Sequence, residues 1–336
     1  MSANRLEKII RIGRRVDPII IDALRRDSAR EFRSSLDYHF KTGGKRMRAA
    51  IVVLSCAAAG GTLERALNHA AVAEMIHNYS LVMDDLIDRG EVRRGKPTVR
   101  ALLGDSVALL VAMFYREALD DLIQSCSARD KVRKIAVKVM KEIIEGERLD
   151  LLFEQSGRQD PYLVSHRITD PSLTLYLHMV GKKTASLFKA AAQMGGYAAG
   201  ADLGIIKALG AFGWKAGLAF QIMDDVLDIC GETTGKQRAK DVIEHKLGNA
   251  VILVAMKFLP RSARYELTRI LRSENVSRTM VSKARALVMK TPAEMACREI
   301  GLEYLEDAKR HLNPLKDSVF KEDLTLLSDQ IVQRSF

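Results

Sequence analysis

Cysteine is scarce in this sequence, and the cysteines that occur are not arranged in pairs. The four of them are far apart and form no CxxC pattern: Cys56, Cys126, Cys230 and Cys297. We therefore expect reduced core thiols in a cytoplasmic protein. Long apolar runs are also missing, since the longest stretches, such as 49–61, are shorter than the roughly 20 residues that span a bilayer. The N-terminus is charged from Arg5 onward and lacks the apolar core of a signal peptide, so we expect no transmembrane segment.

The sequence also lacks the features of a nucleic-acid-binding protein, although its formal net charge is +11. The basic residues are scattered, and there is neither an aromatic-rich basic strand nor a recognised nucleic-acid motif. An anionic small-molecule substrate would account for part of the positive excess, and solvated surface for the rest. Hydrophobic residues at 47% and charged residues at 28% are typical of a soluble globular protein.

No run of strand length alternates with a period of two, and alanine, leucine, methionine and lysine dominate almost every periodic stretch. We predict helices at about 4–24, 27–41, 49–59, 63–89, 98–125, 128–154, 171–196 and 202–230, and three or four more to residue 336. The predicted loops are about 90–98, 155–170 and 231–241. Asp27-Ser28 is a predicted cap for the second helix. Because we find no low-complexity tract and no linker, we expect a single all-α domain over residues 1–336.

One acidic hexapeptide occurs twice, as MDDLID at 83–88 and as MDDVLD at 223–228, each time at the end of an apolar run. On a helix, positions i and i+4 share a face and position i+1 flanks it. Asp84 and Asp88 therefore point the same way with Asp85 beside them, and the second copy repeats this arrangement. Carboxylates at this spacing destabilise a helix unless a cation binds them, and oxygen-only ligands suit Mg²⁺. The alternative is two solvated acidic helix ends, which the matching flanks of the two copies disfavour.

Several basic segments are candidates for binding an anion. GGKRMR at 43–48 precedes a predicted helix, where glycines let backbone amides approach a ligand and the helix dipole favours negative charge. A surface turn is the alternative interpretation of this segment. Arg93 and Arg94 follow the first cluster after a short loop, and the arginine fork matches phosphate oxygens. The remaining candidates are Lys183, Thr184, Gln221, Lys236 and Lys246.

His77 and Ser80 lie seven and four residues before Asp84, on the same helical face. His77 is therefore either a ligand-binding group or a satisfied core histidine, and the sequence pattern leaves both interpretations open. Together, the motifs describe a cavity with acidic walls, several cations and an apolar interior. Such a cavity fits a metal-bound diphosphate with an apolar tail, and it suits a reaction that releases diphosphate and forms a carbocation.

These motifs resemble those of the trans-isoprenyl diphosphate synthase, or polyprenyl synthetase, family. They cover residues 43–248, and the helical pattern extends the resemblance beyond them. The motifs are GGKRMR at 43–48, HxxS at 77–80, DDxxD at 84–88, RRG at 93–95, KT at 183–184, FQxxDDxxD at 220–228 and GK at 235–236, with Lys240, Asp241 and Lys246 after them. The resemblance implies an all-α barrel of long antiparallel helices around a deep apolar cavity, usually in a homodimer.

The resemblance also implies a role for each motif residue. Asp84, Asp88 and Asp224 would bind Mg²⁺, three ions per active site, with Mn²⁺ as the alternative metal. The residues expected to bind an allylic diphosphate of C5 to C15 are Arg93, Lys183, Thr184, Gln221, Lys236 and Lys246. Those expected to bind isopentenyl diphosphate are Gly44, Lys45, Arg48, His77 and Arg94. The implied catalytic set is Asp84, Asp85, Asp88, Arg93, Lys183, Asp224 and Asp225.

The implied reaction is a head-to-tail condensation of the two diphosphates. Mg²⁺ and the basic residues would neutralise the charge that develops on the departing diphosphate. The double bond of isopentenyl diphosphate, held in the right orientation, would attack the allylic cation. The resemblance implies that the last proton leaves to the released diphosphate, which agrees with the lack of an obvious base for this step in the sequence.

Four positions depart from the commonest pattern of the family. Met83 stands where a histidine often precedes the aspartate pair, and Ala49 replaces a frequent proline. Glu147 occupies the place of a usual glutamine in the segment GERLDL, and Ala239 replaces a frequent glycine. None of the four is an expected metal ligand or principal phosphate ligand, so we expect activity to be retained.

Tyr79 is the residue from which we predict product length. It lies five residues before Asp84, roughly 7.5 Å along the helix axis, where a bulky aromatic residue acts as the floor of the cavity in short-chain enzymes of the family. This predicts geranylgeranyl diphosphate as the product, with farnesyl or longer polyprenyl diphosphates as alternatives. A core-packing role is the other interpretation of Tyr79. Alternatives of another class are a non-catalytic partner subunit and a terpene cyclase or head-to-head condensing enzyme.

Overall fold

The computed structural model describes residues 2–231 and 239–332. Its helices α1 to α18 are, in order, Ser2–Arg14, Asp17–Arg25, Arg33–Lys41, Met47–Ala58, Leu63–Ile87, Val99–Leu103, Asp105–Gln124, Arg129–Leu152, Pro161–His166, Leu173–Val180, Ser186–Ala199, Leu203–Cys230, Lys240–Ile243, Ala250–Phe258, Arg261–Leu271, Arg278–Met289, Ala293–Arg310 and Val319–Val332. Strands β1 (Val92–Arg93) and β2 (Lys96–Pro97) form an antiparallel hairpin, and Gly181–Ala185 is a π-helical turn. The structure is 76% helical, so the all-α prediction is confirmed.

Two of the predicted helices are interrupted, each at a residue that explains the break. The predicted helix at 4–24 ends at Arg14, and α2 begins at Asp17 with Pro18 in its first turn, where proline is favoured because it lacks an N–H. The predicted helix at 98–125 is divided at Gly104, whose φ of 88° no helical residue adopts. Pro18 and Gly104 are local sequence signals for these two breaks, and helical periodicity alone did not reveal them.

Other boundaries also differ from the prediction. Asp27-Ser28 does not cap a helix, because α3 begins at Arg33 and its N-cap residue Phe32 makes no side-chain capping bond. The predicted loop at 155–170 contains the short helix α9. In the described part beyond residue 243 there are five helices, α14 to α18, where the sequence predicts three or four after residue 241.

Backbone contacts divide the chain into two compact units. The described residues within 1–141, 187–213 and 309–327 form the first unit, and those within 142–186, 214–308 and 328–336 form the second. The acidic cluster at 84–88 belongs to the first unit and the cluster at 224–228 to the second. The single domain expected from the sequence stays a prediction.

In the first unit, α4 and α5 form the core. Eleven of the twelve residues of α4 are buried, and α5 carries buried residues around its whole circumference, many of them alanine. Small side chains let neighbouring helices approach closely, which is typical of a helix surrounded by others. The first acidic cluster therefore lies at the C-terminal end of an internal helix.

In the second unit, one apolar cluster joins the end of α8, α10, α12 and α14 to α17. Gly248 approaches the Phe153 ring so closely that a Cβ atom on it would lie 2.3 Å from the ring, which fixes the segment before α14 against the end of α8. Helix α12 is the one described helix long and apolar enough to cross a membrane by length and composition. Half of its most apolar window is buried inside the protein, as in a core helix.

Candidate active site

The first acidic cluster keeps its helical geometry to the end of α5. Asp84 and Asp88 are partly exposed, whereas Asp85 is only 5% exposed. Asp88 is the C-cap residue, and its N–H donates to the carbonyl oxygen of Asp84 at 2.8 Å. The structure thus separates two accessible carboxylates from one buried carboxylate.

The buried Asp85 is held by Arg93. The Arg93 Nε atom lies 3.0 and 2.9 Å from the two Asp85 carboxylate oxygens, and Nη2 lies 2.9 Å from Oδ1. The hairpin turn after Arg93 consists of Arg94 and Gly95, with φ values of 56° and 73°. Positive φ at both central residues is typical of the tight two-residue turn whose twist matches a β-hairpin. This turn brings Arg93 back onto Asp85.

The GGKRMR segment is a loop organised by two arginines. Gly43 and Gly44 have φ values of 102° and 128°, which glycine adopts without strain. Arg46 is 3% exposed and donates to the carboxylate of Asp17 at 2.7 Å and to the carbonyl oxygens of Phe40 and Gly43. Arg94 also donates to the Gly43 carbonyl oxygen. Arg46 therefore shapes the loop, while Lys45 is exposed.

Arg48 and His77 lie beyond this loop in the first unit. The Arg48 guanidinium lies 4.7 Å from the centre of the Phe188 ring, within the range of a cation–π contact. Burial and the neighbouring guanidinium groups of Arg48 and Arg94 lower the pKa of His77 well below its ordinary value. His77 is therefore neutral near pH 7 and offers one hydrogen-bond donor and one acceptor. Tyr79 is partly exposed on α5.

The second acidic cluster has the same exposure pattern but different partners. Asp224 and Asp228 are partly exposed, and Asp225 is 5% exposed. Asp225 accepts hydrogen bonds from the Tyr176 hydroxyl at 2.7 Å, from Gln221 Nε2 at 3.1 Å and from the Ala250 N–H at 2.8 Å. The last of these bonds also satisfies a backbone donor at the start of α14. Burial, together with the nearby Asp241 carboxylate, raises the pKa of Asp225 well above its ordinary value.

Asp228 is bound by the chain that follows the second cluster. Its carboxylate accepts hydrogen bonds from the N–H groups of Lys240 at 2.9 Å and of Asp241 at 3.2 Å. Burial and the Asp241 carboxylate raise the pKa of Asp228 to about 7. Asp228 therefore anchors the start of α13.

Lys183 belongs to an ion-pair network in the second unit. It lies in the π-helical turn, a type of distortion that is frequent at functional sites. Its Nζ atom lies 2.6 Å from Glu147 Oε2 and 2.6 Å from Asp150 Oδ2. Lys246 Nζ lies 3.1 Å from the same Asp150 oxygen and 3.1 Å from Glu244. Although burial raises the pKa of Asp150, the two ammonium groups lower it below its ordinary range.

Thr184 and Gln221 extend from this network to the second cluster. The Thr184 hydroxyl donates to Gln221 Oε1 at 2.8 Å, and Gln221 Nε2 donates in turn to Asp225. Within the second unit, Asp150 thus joins Lys183 to Lys246, and Gln221 joins Thr184 to Asp225. Lys236 lies outside the described residues.

Sequence reasoning missed two residues that organise this region. Asp150 joins Lys183 and Lys246, and the only sequence signal for this role is that a carboxylate occurs in the apolar segment that ends α8. Tyr176 holds Asp225, and its signal was a tyrosine two helical turns before Lys183. Neither signal is specific without the tertiary structure.

The outer carboxylates of each cluster, considered separately, suit a hard divalent cation. Asp84, Asp88 and Asp224 offer carboxylate oxygens that are at least partly exposed. Within residues 2–231 and 239–332, no three His, Cys, Asp or Glu side chains form a group that could hold a metal ion. Mg²⁺ is usually bound by one or two carboxylates together with substrate phosphates, rather than by a cage of protein ligands. The residues present therefore fit an ion that a phosphate ligand helps to bind.

Comparisons with known proteins agree with this geometry. The family described as Polyprenyl synthetase matches residues 29–288. The chain is 29% identical to a geranylgeranyl diphosphate synthase of Methanosarcina mazei over 337 residues, covering 96% of this chain and 95% of the relative. It is 34% identical to a geranylfarnesyl diphosphate synthase of Aeropyrum pernix over 310 residues, covering 88% and 91%.

A solved structure supports the same assignment. The crystal structure of a polyprenyl synthase from Caulobacter crescentus, complexed with calcium and isoprenyl diphosphate, matches with a TM-score of 0.88 and 27% sequence identity, covering 99% of this chain and 98% of that one. The all-α fold is thus shared with isoprenyl synthases. The chain belongs to the polyprenyl synthetase family and is a prenyltransferase, as its motifs predict.

Proposed function

We propose that the protein is a Mg²⁺-dependent synthase that condenses isopentenyl diphosphate with allylic diphosphates of C5 to C15, with geranylgeranyl diphosphate as the main product. The observation that carries the proposal is the pair of acidic clusters, each with a buried central aspartate and partly exposed outer aspartates. The names of the relatives from Methanosarcina mazei and Aeropyrum pernix support the substrate class. We propose one synthase domain over residues 1–336.

Asp84, Asp88 and Asp224 are the proposed metal ligands, with three Mg²⁺ ions per active site and Mn²⁺ as the alternative. When bound, the metal neutralises the negative charge that develops on the departing diphosphate. Asp85 and Asp225 act differently from these ligands, since both are buried and hydrogen-bonded. They hold the ends of α5 and α12 in the conformation that presents the outer carboxylates.

The allylic diphosphate is proposed to bind Arg93, Lys183, Thr184, Gln221, Lys236 and Lys246. Lys183 and Lys246 supply charge-assisted hydrogen bonds, and Asp150 holds both ammonium groups in place. Thr184 and Gln221 are oriented by their mutual hydrogen bond of 2.8 Å. Fixed donors of this kind stabilise the charge of a leaving group without reorganising during the reaction.

Isopentenyl diphosphate is proposed to bind Gly44, Lys45, Arg48, His77 and Arg94. The support is the loop geometry: Gly44 lacks a side chain, and a Cβ atom there would lie 2.7 Å from Arg46 Nη1 and 2.9 Å from Arg94 Nη1. A neutral His77 donates a hydrogen bond without adding charge. These groups orient the double bond toward the allylic carbon, which reduces the entropic cost of the bimolecular step.

Two alternatives concern the class of protein. A non-catalytic partner subunit would not need both sets of acidic and basic residues, and all of them except Lys236 lie within the described residues. A terpene cyclase or head-to-head condensing enzyme would not need a second diphosphate site at Lys45, Arg48 and Arg94. Both alternatives would fail to elongate an allylic primer.

We also propose a homodimer in the cytoplasm. The apolar side chains of Leu102, Leu109, Leu110 and Met113 are about half exposed on α6 and α7, and an unpaired apolar face of this kind is typical of a protein interface. Cys56, Cys126, Cys230 and Cys297 are all free thiols, as expected in a reducing compartment. Sedimentation equilibrium with Leu110→Lys, which places a charge on this face, would separate dimer from monomer.

A product assay tests the proposed function. Purified protein, Mg²⁺ and labelled isopentenyl diphosphate are incubated with C5, C10 or C15 allylic diphosphate, and the dephosphorylated products are sized by chromatography. We expect a dominant C20 alcohol, and longer products from Tyr79→Ala. A C15 product, or wild-type products beyond C20, would retain the chemistry and overturn the assigned length. No elongation by folded protein with any primer would overturn the synthase itself.

A further inference from the structure

The ammonium group of Lys183 already has two carboxylate partners. Its Nζ atom lies 2.6 Å from Glu147 and 2.6 Å from Asp150, and these residues are 7% and 6% exposed. Ion pairs that exclude water to this degree are screened weakly by salt. A diphosphate that binds Lys183 must therefore compete with carboxylates that belong to the protein.

The two carboxylates do not have the same role. Asp150 contacts both Lys183 and Lys246, so it joins two cations. Glu147 contacts the ammonium group of Lys183. Glu244 contacts Lys246 at 3.1 Å and Lys240 at 2.8 Å, so it is paired without Lys183. Removal of Glu147 alone would therefore leave Asp150 to position both Lys183 and Lys246.

The backbone brings Glu147 to this ammonium group. Gly146 packs against the π-helical turn so closely that a Cβ atom on it would lie 2.3 Å from the Lys183 backbone nitrogen and 2.6 Å from its Cα atom. No other residue type fits at 146 without moving the backbone of the turn. The next residue along α8 is therefore held beside Lys183 by helix packing.

We propose that Glu147 is a positioning residue that weakens the binding of the allylic diphosphate, because it holds the Lys183 ammonium group and opposes the anionic ligand. The inference rests on the proposed function, in which Lys183 is a ligand of that diphosphate. Glu147 is also one of the positions where the sequence departs from the commonest pattern of the family. Weaker binding of the diphosphate group favours release of the diphosphate product after each condensation.

Glu147→Gln removes the charge and keeps the size of the side chain. The probe is an unreactive farnesyl thiolodiphosphate, whose binding in the presence of Mg²⁺ is measured by calorimetry. We expect the variant to bind the probe with a Kd about tenfold lower, equivalent to about 1.4 kcal/mol. In steady-state kinetics, KM for the allylic diphosphate should fall, and KM for isopentenyl diphosphate should stay within twofold of the wild-type value.

Two variants separate charge from structure. Glu145→Gln is the matched control, since it removes one negative charge from the same helix, where Glu145 pairs with Arg148 rather than with Lys183. Its Kd should stay within twofold of wild type. Glu147→Asp keeps the charge and shortens the side chain, and it should also bind the probe within twofold of wild type. An unchanged or higher Kd for Glu147→Gln would overturn the proposal, as would a tenfold effect of Glu145→Gln.

Lys183→Met distinguishes failure of this inference from failure of the proposed function. If Lys183 binds the diphosphate, Lys183→Met weakens probe binding, and adding Glu147→Gln in that background changes the Kd by less than threefold. If Lys183→Met leaves the Kd unchanged, the assignment of Lys183 as a ligand is wrong. If Lys183→Met weakens binding and Glu147→Gln does not strengthen it, only the role of Glu147 is wrong.

Discussion

The first acidic cluster balances its buried Asp85 with the guanidinium group of Arg93, whereas the second balances its buried Asp225 with three uncharged donors. Arg93 follows Asp85 by eight residues and reaches it through a tight hairpin. Tyr176, Gln221 and Ala250 come from three helices to reach Asp225. One hexapeptide is therefore stabilised by a local ionic contact in one unit, and in the other by neutral contacts, of which those from Tyr176 and Ala250 are long-range.

Burial is the main cause of a pKa shift near each cluster, and the neighbouring charges that add to it have opposite signs. In the first unit, burial and the guanidinium groups of Arg94, Arg93 and Arg46 lower the pKa of His39 to about 3. In the second unit, burial and the Asp241 carboxylate raise the pKa of Asp228 to about 7. The first cluster thus lies in cationic surroundings, and the second lies among further carboxylates. A repeat in sequence does not imply equivalent electrostatics.

The largest expected effect concerns the last aspartate of each cluster. Asp88→Ala should lower kcat/KM by about a thousandfold, because it removes a proposed metal ligand, the scale expected for a lost group that stabilises transition-state charge. Asp228→Ala should lower it only about tenfold, because the Asp228 carboxylate is bound by the backbone N–H groups of Lys240 and Asp241. Steady-state kinetics at saturating Mg²⁺ measure both values.

Asp120→Ala is the control for these two variants, since Asp120 is exposed and distant in sequence from both clusters, with only a loose 3.6 Å contact to Arg133. Its kcat/KM should match wild type. Equal losses for Asp88→Ala and Asp228→Ala would contradict the distinction between the two clusters.

The next effect tests the ionic contact of the first cluster. Arg93→Met should lower the free energy of unfolding by about 3 kcal/mol, because it leaves the Asp85 charge buried without a cationic partner. Denaturation by urea measures this value. Adding Asp85→Asn should recover part of the loss, since the second substitution removes the uncompensated charge. A loss for Arg93→Met that Asp85→Asn deepens instead would contradict the ion-pair interpretation.

A smaller effect tests the neutral contacts of the second cluster. Tyr176→Phe should lower the free energy of unfolding by about 1.5 kcal/mol, since Asp225 keeps its bonds to Gln221 and to the Ala250 N–H. Tyr265→Phe is the matched control because Tyr265 is 71% exposed, and it should leave stability unchanged. A loss for Tyr176→Phe equal to that for Arg93→Met would remove the difference between the two clusters.

These partners mark the limit of what could be predicted from the sequence. The helical period placed Asp84, Asp88 and Asp85 correctly relative to one another, and the motifs predicted the family. The period could not show that Tyr176 and Ala250 meet at Asp225, because 49 and 25 residues separate each of them from it. Nor could it show that Asp150 joins Lys183 to Lys246, a contact created by the packing of Gly146 on the π-helical turn.

The smallest expected effect is a dependence of stability on pH. His39 is 2% exposed and its pKa is lowered to about 3, whereas an unfolded histidine has a pKa of about 6.5. Between pH 3 and pH 6.5 the unfolded chain therefore binds more protons than the folded chain. The contribution of His39 to the free energy of unfolding is fully present above about pH 6.5 and is lost as the pH falls toward 3. From this group alone, the free energy of unfolding at pH 6 should be about 0.8 kcal/mol lower than at pH 8.

His39→Gln isolates this contribution, because glutamine does not titrate. The difference in unfolding free energy between wild type and His39→Gln should change in favour of wild type as pH rises from 5 to 7. A difference that is constant with pH would show that His39 is not held neutral by its surroundings.

The proposed function requires that Asp84 and Asp224 both bind the Mg²⁺ of one diphosphate ligand, although the two clusters are stabilised differently. Calorimetry with Mg²⁺ and the unreactive farnesyl thiolodiphosphate, applied to wild type, Asp84→Asn, Asp224→Asn and the double variant, tests it most directly. We predict that each single variant loses most of the Mg²⁺-dependent affinity and that the double variant loses little more, since groups acting on one ligand are not additive. Wild-type affinity in either single variant would contradict this requirement.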